Sequence, residues 1–383
     1  MKDKVCRKCN GPGTVFVRKE YCYCNDCFIT NTNHKFRACI GKNKKLTSNE
    51  KVLVCLSGGK SSTVLLDLIY NGINLDSHKK LRIVPFFIHI TGKYLRRIKK
   101  ESESKKTTDM IIDQCQKYNF DLYVVNIQEY KSNEDISYCT NSYSSATLSA
   151  KNLNFTTTTG QDVLTKIKHN LFIRMSKQLG CRFVLTAETT TLLAMKLLSS
   201  IVIGRGSQVE NDIGFADNRD GNVEILRPMR DITNEEIDIY LNIKQMYVDP
   251  KDSDQEISLQ AAIRDFVLDL QENYPSTIST VCKTADKLGS VNGNNNIKKC
   301  HVCQSTINFK DSKLTAVEAT IFSRIVSSEK SPESASDLPF NTKDNTMFPY
   351  IFDRFCYCCS RNYLETKGSD LNMFLSQKIE KES

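Results

Sequence analysis

Residues 52–56 (VLVCL) run directly into residues 57–62 (SGGKSS), and residues 63–69 (TVLLDLI) continue with helical character. The apolar run predicts a buried strand, and the hydroxyl-rich turn predicts the start of a helix. The glycines let backbone N–H groups converge and a helix N-terminus adds positive potential, so the segment is typical of a pyrophosphate-binding loop. A plain strand-to-helix turn is the alternative. The predicted phosphate-loop residues are Ser57, Gly58, Gly59, Lys60, Ser61 and Ser62.

Short apolar runs alternate with amphipathic runs on either side of this loop. Further strands are predicted at residues 82–90, 122–127, 183–186 and 223–226, and helices at residues 62–70, 107–118, 162–179, 189–203 and 257–272. A capping box at residues 233–236 opens another helix, and a last one is entered at Pro275. Strands separated by helices predict an α/β domain over residues 49–291, with a doubly wound parallel sheet and ligands at the carboxyl ends of its strands.

The composition limits the class of protein. The chain has 383 residues, of which 40% are hydrophobic, which excludes wholesale disorder and predicts two or three domains. No run approaches 18 uncharged apolar residues, and the first ten residues lack the apolar region of a secretory signal. We therefore expect a cytoplasmic protein with no membrane partner. In that reducing compartment its 16 cysteines are read first as metal ligands.

Two sets of cysteine pairs stand near the ends of the chain. Two residues between cysteines let one turn aim both sulfurs at a metal, so each set predicts a structural zinc site. The alternatives are free thiols or an iron–sulfur cluster, with Cys22 competing with Cys24 at the first site and Cys358 or His301 as substitutes at the second. These sets predict a zinc-ribbon-like module at residues 1–48 and a cysteine-rich module at residues 292–383, with a mobile insertion at about residues 327–345. The predicted ligands are Cys6, Cys9, Cys24 and Cys27, and then Cys300, Cys303, Cys356 and Cys359.

Positive charge is concentrated at the amino terminus. The formal net charge is +9, and residues 1–50 alone contain 11 Lys/Arg and 4 Asp/Glu. Residues 93–106 contain seven more Lys/Arg and two Glu. Local excesses of this kind favour a polyanion such as nucleic acid, with a solvated basic surface as the alternative.

The phosphate loop resembles the PP-loop of the ATP pyrophosphatase superfamily, whose pattern is S-G-G-x-D-S. Here Ser61 stands where the pattern has Asp, so the loop lacks a carboxylate that would help to organise Mg²⁺ and nucleotide. Related tRNA-thiolating enzymes also have an acidic, His-containing segment after the fourth strand and cysteine pairs in the catalytic domain. This chain has residues 186–190 (TAETT) at that position and no C-x-x-C between residues 49 and 290, which leaves Cys139 as a lone candidate nucleophile.

The chain is similar to the cytoplasmic tRNA 2-thiolation protein 2 family in several features taken together. These are the altered loop, residues 204–208 (GRGSQ), 226–229 (LRPM) and 278–288, and the terminal cysteines. The resemblance covers most of the chain. It implies a PP-loop (adenine-nucleotide-hydrolase type) fold and a heterodimer with the catalytic PP-loop thiolation subunit. It further implies formation of 5-methoxycarbonylmethyl-2-thiouridine at the wobble uridine of the tRNAs for Lys, Glu and Gln, with a thiocarboxylated ubiquitin-related modifier as sulfur donor.

Three roles stay open at this point. The first is a non-catalytic subunit that binds tRNA, the second is an ATP-dependent tRNA sulfurtransferase in its own right, and the third is a zinc-ribbon adaptor that binds only proteins. Whether ATP and Mg²⁺ still bind is also open. The candidate tRNA contacts are Arg7, Lys8, Lys42, Lys44, Lys45, Arg96, Arg97 and Arg205, the last of which could instead pair with a carboxylate.

Overall fold

The computed structural model describes residues 5–17, 21–92, 101–131, 134–143, 156–248, 257–285, 287, 299–307, 320 and 355–366. The chain divides into two compact units, residues 1–291 and 292–383. The amino-terminal cysteine segment lies within the first unit. Its apolar side chains, including Val15, Phe28 and Phe36, share one core cluster with the central strands.

The first unit alternates strands and helices. Its order is β1 (Val15–Val17), β2 (Tyr21–Tyr23), α1 (Asn25–Asn43), β3 (Glu50–Cys55), α2 (Lys60–Ile73), β4 (Ile83–Thr91), α3 (Glu101–Lys117), β5 (Leu122–Asn126), a 3-10 turn (Ile127–Lys131), β6 (Tyr138–Thr140), α4 (Thr157–Gln178), β7 (Phe183–Leu185), α5 (Thr190–Val202), a 3-10 turn (Gly206–Gln208), α6 (Val209–Ile213), β8 (Ala216–Asp217), β9 (Glu224–Leu226), α7 (Asn234–Lys244), α8 (Leu259–Asn273) and α9 (Pro275–Ala285). In the second unit, α10 (Tyr357–Glu365) begins directly after Cys356 and contains Cys359.

Seven strands form the central sheet in the order β6-β5-β4-β3-β7-β9-β8. The five inner strands are parallel, as expected of a doubly wound sheet, and the two edge strands are antiparallel. Along the chain, β3 is the first strand of this sheet. Strands β4 and β5 follow on one side of β3, and the chain then crosses to form β7 and β9 on the other side. The carboxyl ends of β3 and β7 therefore meet at the topological switch point, where such sheets bind ligands.

Two short strands and one long helix of the first unit are among the differences from the sequence prediction. The predicted strands and helices are present with shifted ends, but β6 and β8 were not predicted because runs of three and two residues carry no alternation signal. Helix α1 was not predicted either, and it packs against α2 and α7. The predicted insertion at about residues 327–345 lies outside the described residues.

Candidate functional site

The phosphate loop lies at the switch point, between the end of β3 and the start of α2. Gly59 is the N-cap of α2 in an extended conformation, so the N–H groups of the first helical turn point out of the helix towards the loop. Gly58 has φ +70°, a left-handed conformation that favours glycine. A Cβ at Gly58 would lie 2.5 Å from Cγ2 of Thr107 and 3.0 Å from Cδ1 of Ile111. Helix α3 thus packs so closely on the loop that only glycine fits.

The serines of the loop bond to the loop itself. The Ser62 hydroxyl accepts from the Gly59 N–H at 3.1 Å and lies 2.8 Å from the Gly59 carbonyl, to which it can donate. The Ser57 hydroxyl donates to the Ser62 hydroxyl oxygen at 3.3 Å. Ser62 is buried, whereas Ser61, in place of the pattern's Asp, is half-buried. These contacts stabilise the turn, and the half-buried Ser61 supplies no formal charge.

Lys60 is engaged by a neighbouring helix. Its ammonium lies 2.7 Å from a carboxylate oxygen of Asp238 in α7. Both side chains are about half exposed, at 60% and 49%, so the pair contributes little to stability. It nevertheless directs the only cationic side chain of the loop towards α7.

A cluster of ion pairs lies beyond the ends of β7 and β9, and sequence reasoning missed it. Glu188 lies 2.8 Å from the Lys196 ammonium and 2.7 Å from Nε of the buried Arg227. Burial raises the pKa of Glu188, but Lys196 and Arg227 outweigh it and lower that pKa to about 2. Glu188 is therefore a charged, paired group. The sequence signal was the LRPM segment, whose arginine follows a predicted strand directly.

A second group of buried charges adjoins the first. Arg219 pairs with Asp212 at 2.7 Å and with Asp217 at 2.5 Å. His169 lies 3.3 Å from Asp217, and burial lowers the pKa of this histidine against the opposing effect of Asp217. Burial by itself would raise the pKa values of Asp212 and Asp217. Positive charges and hydrogen bonds, including those of Arg219, outweigh burial and hold both pKa values below their usual range. Every charge of this cluster has a partner of opposite sign.

The first cysteine tetrad gathers around the hairpin of β1 and β2. The four sulfurs of Cys6, Cys9, Cys24 and Cys27 all lie within 4.8 Å of one another. The Cys24 sulfur caps α1 by accepting from the Cys27 N–H at 3.4 Å. The backbone N–H of Cys9, foremost among several donors, lowers the pKa of the Cys6 thiol to about 6, which favours the metal-binding thiolate. Cys22, the competing third ligand, is buried outside this group.

The second tetrad lies in the second unit. Cys300, Cys303, Cys356 and Cys359 again have all their sulfurs within 4.8 Å of one another. Neither proposed substitute, His301 or Cys358, belongs to the group. In the part of the chain that the structure describes, these two tetrads are the only clusters of three or more side chains that could hold a metal.

The sulfur spacing distinguishes the kinds of metal that fit. A zinc–sulfur distance of about 2.3 Å separates tetrahedral thiolates by about 3.8 Å. The observed distances are 3.7 Å between Cys9 and Cys24 and 3.5 Å between Cys303 and Cys356. An iron–sulfur cluster spreads its cysteines over several irons and so holds them farther apart. Both tetrads fit a single thiophilic ion.

Four of the remaining thiols of the α/β domain are buried, which makes them poor nucleophiles. Cys55, Cys115, Cys181 and Cys282 are buried, and burial raises the pKa values of the first three. Cys139 lies in edge strand β6 and is half-buried, with no second cysteine beside it in the sequence.

The basic candidates fall into three groups. Arg7, Lys8, Lys42 and Lys44 are exposed on the first unit, and Lys45 is exposed but lies 2.9 Å from Glu224. Arg96 and Arg97 lie outside the described residues. Arg205 was wrongly expected as a tRNA contact: it is 3% exposed, and its guanidinium pairs with both oxygens of Asp162 at 2.5 and 2.7 Å. Its charge pairs with a buried carboxylate, which is the alternative that the sequence left open.

No described helix is both long and apolar enough to cross a membrane.

Comparisons with known proteins place these features in context. The family model described as cytoplasmic tRNA 2-thiolation protein 2 matches residues 258–361, and the model of the PP-loop domain matches residues 29–271. The protein named cytoplasmic tRNA 2-thiolation protein 2 of Aedes aegypti is 30% identical, over 86% of this chain and 81% of that protein. The protein of the same name from Danio rerio is 27% identical, over 94% and 83%.

One solved structure has a similar fold. It is described as U34-tRNA thiolase NcsA from Methanococcus maripaludis with its [4Fe-4S] cluster, and its TM-score is 0.58. The match covers 83% of this chain and 96% of that chain at 18% identity, which indicates a shared fold.

Proposed function

This chain belongs to the cytoplasmic tRNA 2-thiolation protein 2 family, and from that premise we propose that it is the non-catalytic subunit of a complex that thiolates tRNA. Family membership assigns the chain to tRNA thiolation and gives it a PP-loop domain. The relatives are named as cytoplasmic proteins, in agreement with the location expected from the sequence.

The finer parts of the proposal concern partners and substrates. The chain forms a heterodimer with the catalytic PP-loop subunit, and the complex acts on the wobble uridine of the tRNAs for Lys, Glu and Gln. The sulfur arrives from a thiocarboxylated ubiquitin-related modifier. The exposed basic residues of the first unit, Arg7, Lys8, Lys42, Lys44 and Lys45, help to hold the tRNA backbone.

The observation that carries the non-catalytic role is the altered loop. Ser61 replaces the carboxylate of the PP-loop pattern, and Lys60 points to Asp238. Glu188, which follows β7, is neutralised by Lys196 and Arg227. Together these features argue against a site that organises Mg²⁺ and ATP for adenylation.

One feature favours the second candidate, an ATP-dependent sulfurtransferase. The left-handed Gly58 and the N-cap Gly59 keep the backbone shape of a phosphate-binding loop. The loop therefore keeps the backbone that binding of nucleotide phosphates requires, and an ATP-dependent sulfurtransferase needs such binding.

A reconstitution experiment separates these roles. Thiolation of substrate tRNA and pyrophosphate release from ATP are measured for this chain alone, for the catalytic subunit alone and for the two together. We expect no turnover by this chain alone, none by its Ser61→Asp variant, and full thiolation only with both proteins. Robust turnover by the isolated chain would refute the non-catalytic role. Crosslinking of tRNA to residues 1–50 distinguishes a tRNA-binding subunit from a purely protein-binding adaptor.

We further propose that both tetrads hold structural zinc, since their sulfur spacing matches a single tetrahedral ion. Elemental analysis should find about two zinc ions per chain, and a Cys6→Ser, Cys9→Ser variant should lose one of them. Cys139→Ser is the matched control and should lose none. Iron with acid-labile sulfide in the purified protein, or full zinc content in the double variant, would contradict the assignment.

A further inference from the structure

A pocket of about 210 Å³ lies beside the first tetrad, and no residue of the phosphate loop lines it. The β1–β2 hairpin supplies Val17, Tyr21 and Tyr23 to its walls, and α1 supplies Phe28. Val17 and Phe28 are buried, whereas the two tyrosines are only half-buried. The lining is thus aromatic and apolar, with two rings partly open to solvent.

The entrance of this pocket carries a guanidinium group in a fixed position. Arg7 lies over the ring of Tyr21, with Cζ 4.6 Å from the ring centroid. The turn that bears Arg7 is tied to the hairpin, because the Arg7 N–H donates to the Cys22 carbonyl at 2.9 Å. Since Arg7 stands between Cys6 and Cys9, an ion at the tetrad would hold this turn in place. The exposed Lys8 adds a second positive charge next to it.

The inner polar groups leave no net charge in the pocket. Lys35 and Glu236 both line it and form an ion pair at 2.5 Å. Glu236 is buried and also accepts from the Thr233 N–H at 3.0 Å. The remaining polar side chain of the lining is Asn31, whose amide offers both a donor and an acceptor. The interior therefore suits a neutral planar group with polar edges, and the entrance suits an anion.

We propose that this pocket binds one unstacked nucleobase of a single-stranded RNA loop. The inference rests on the proposed function, because it takes the RNA to be tRNA. Proteins recognise such bases by stacking on aromatic rings or arginine planes and by hydrogen bonds to the base edges. The volume is below the 300–1,000 Å³ or so of sites for drug-sized ligands, so it suits one ring system. Tyr23 supplies the stacking surface, because Arg7 already covers a face of Tyr21. Asn31 contacts the base edge, and Arg7 with Lys8 meets the adjoining phosphates.

The test uses the full-length chain and an anticodon stem-loop RNA with 2-aminopurine at one loop position at a time. Tyr23→Ala should weaken binding by about 5- to 150-fold, the range found when one base-stacking residue is removed. Tyr23→Phe keeps the ring and should bind within about twofold of wild type. At one loop position the 2-aminopurine signal should change on binding to the wild-type protein, and that change should be absent with Tyr23→Ala.

One control variant and one specificity variant accompany this test. Tyr274→Ala removes a tyrosine that is 64% exposed at the end of α8, outside the pocket, and should leave RNA binding unchanged. Asn31→Leu changes a half-buried residue of α1 and should reduce discrimination among the four bases at the responsive position. Metal content and melting temperature of each variant show whether the module is intact.

The outcomes separate this proposal from the tRNA-binding role on which it rests. If wild type binds the stem-loop and Tyr23→Ala binds equally well, the pocket proposal is wrong and tRNA binding stands. If Tyr23→Ala weakens binding to a blunt RNA duplex by the same factor, no unstacked base is involved and the proposal is also wrong. If Tyr23→Ala keeps its RNA affinity but fails to co-purify with the catalytic subunit, the pocket belongs to a protein contact. If wild type binds no tRNA, alone or with its partner, both proposals fail.

Discussion

Replacing Gly58 by alanine tests how tightly α3 holds the phosphate loop. The left-handed backbone at Gly58 would cost an alanine about 1–2 kcal/mol. The new Cβ would lie 2.5 Å from Thr107 Cγ2, about 1 Å closer than an ordinary contact, and overpacking of this kind costs about 1–3 kcal/mol. We therefore expect Gly58→Ala to lower the free energy of unfolding by about 2–5 kcal/mol.

The assay is urea unfolding followed by far-UV circular dichroism, which reports mainly on the first unit because nearly all described helices lie there. Thr107→Ser is the matched second change, since it removes Cγ2 and keeps the hydroxyl. In the Thr107→Ser background, the destabilisation by Gly58→Ala should come only from backbone strain and from the 3.0 Å contact with Ile111. Gly58→Ala should therefore lower the free energy of unfolding by about 1–3 kcal/mol less in that background than in the wild type. Equal costs in both backgrounds, at unchanged m values, would refute the close packing of α3 on the loop.

Two further predictions concern ion pairs. Arg205→Leu should cost about 3–5 kcal/mol, because it removes the guanidinium that pairs with the nearly buried carboxylate of Asp162. Lys60→Met breaks an exposed pair and should cost less than about 1 kcal/mol in the same assay. Equally small losses of stability in the Arg205→Leu and Lys60→Met variants would contradict the burial of Arg205. The pKa of Glu188 is lowered to about 2 from 4.5, so its contribution to stability is present above about pH 4.5 and is lost as the pH falls towards 2. Glu188→Gln should therefore be less stable than wild type at pH 6 and lose less stability between pH 5 and pH 3; parallel pH curves would argue against the pairing.

The sequence predicted the architecture of the α/β domain because its inner strands carry strong local signals. Residues 52–56 are continuously apolar, as strands covered on both faces must be, and the observed β3 is buried from Val52 to Cys55. The capping box at Thr233 was also visible from spacing alone, and the structure has it, with the Glu236 carboxylate accepting from the Thr233 N–H. Both features depend on residues close in sequence, which is why they could be predicted.

Helix α1 was missed because its pattern is weak. Its buried residues Phe28, Thr32, Phe36 and Ile40 recur every four positions, but asparagines, threonines and a histidine separate them. Its N-cap is Cys24, whose sulfur is not among the usual capping groups. The spacing of four between these residues is the signal from which the helix could have been predicted.

The charge partners in the site could not be predicted. Arg205 meets Asp162 across 43 positions and Arg227 meets Glu188 across 39, so each pairing depends on the order of the strands in the sheet. A basic residue between two glycines looks the same in sequence whether it faces solvent or a buried carboxylate. Only the fold decides which of the many Lys and Arg residues remain at the surface for a polyanion.

The capping role of Cys24 links distant parts of the first unit. The same sulfur that would ligate an ion also begins α1, and α1 supplies Lys35 to the Glu236 carboxylate that opens α7. Helix α7 in turn reaches the first residue of α2 through Asp238 and Lys60. An ion held by the thiolates and an ordered glycine turn at the switch point should therefore favour each other, and by reciprocity a ligand that orders that turn should raise the affinity of the tetrad for the ion.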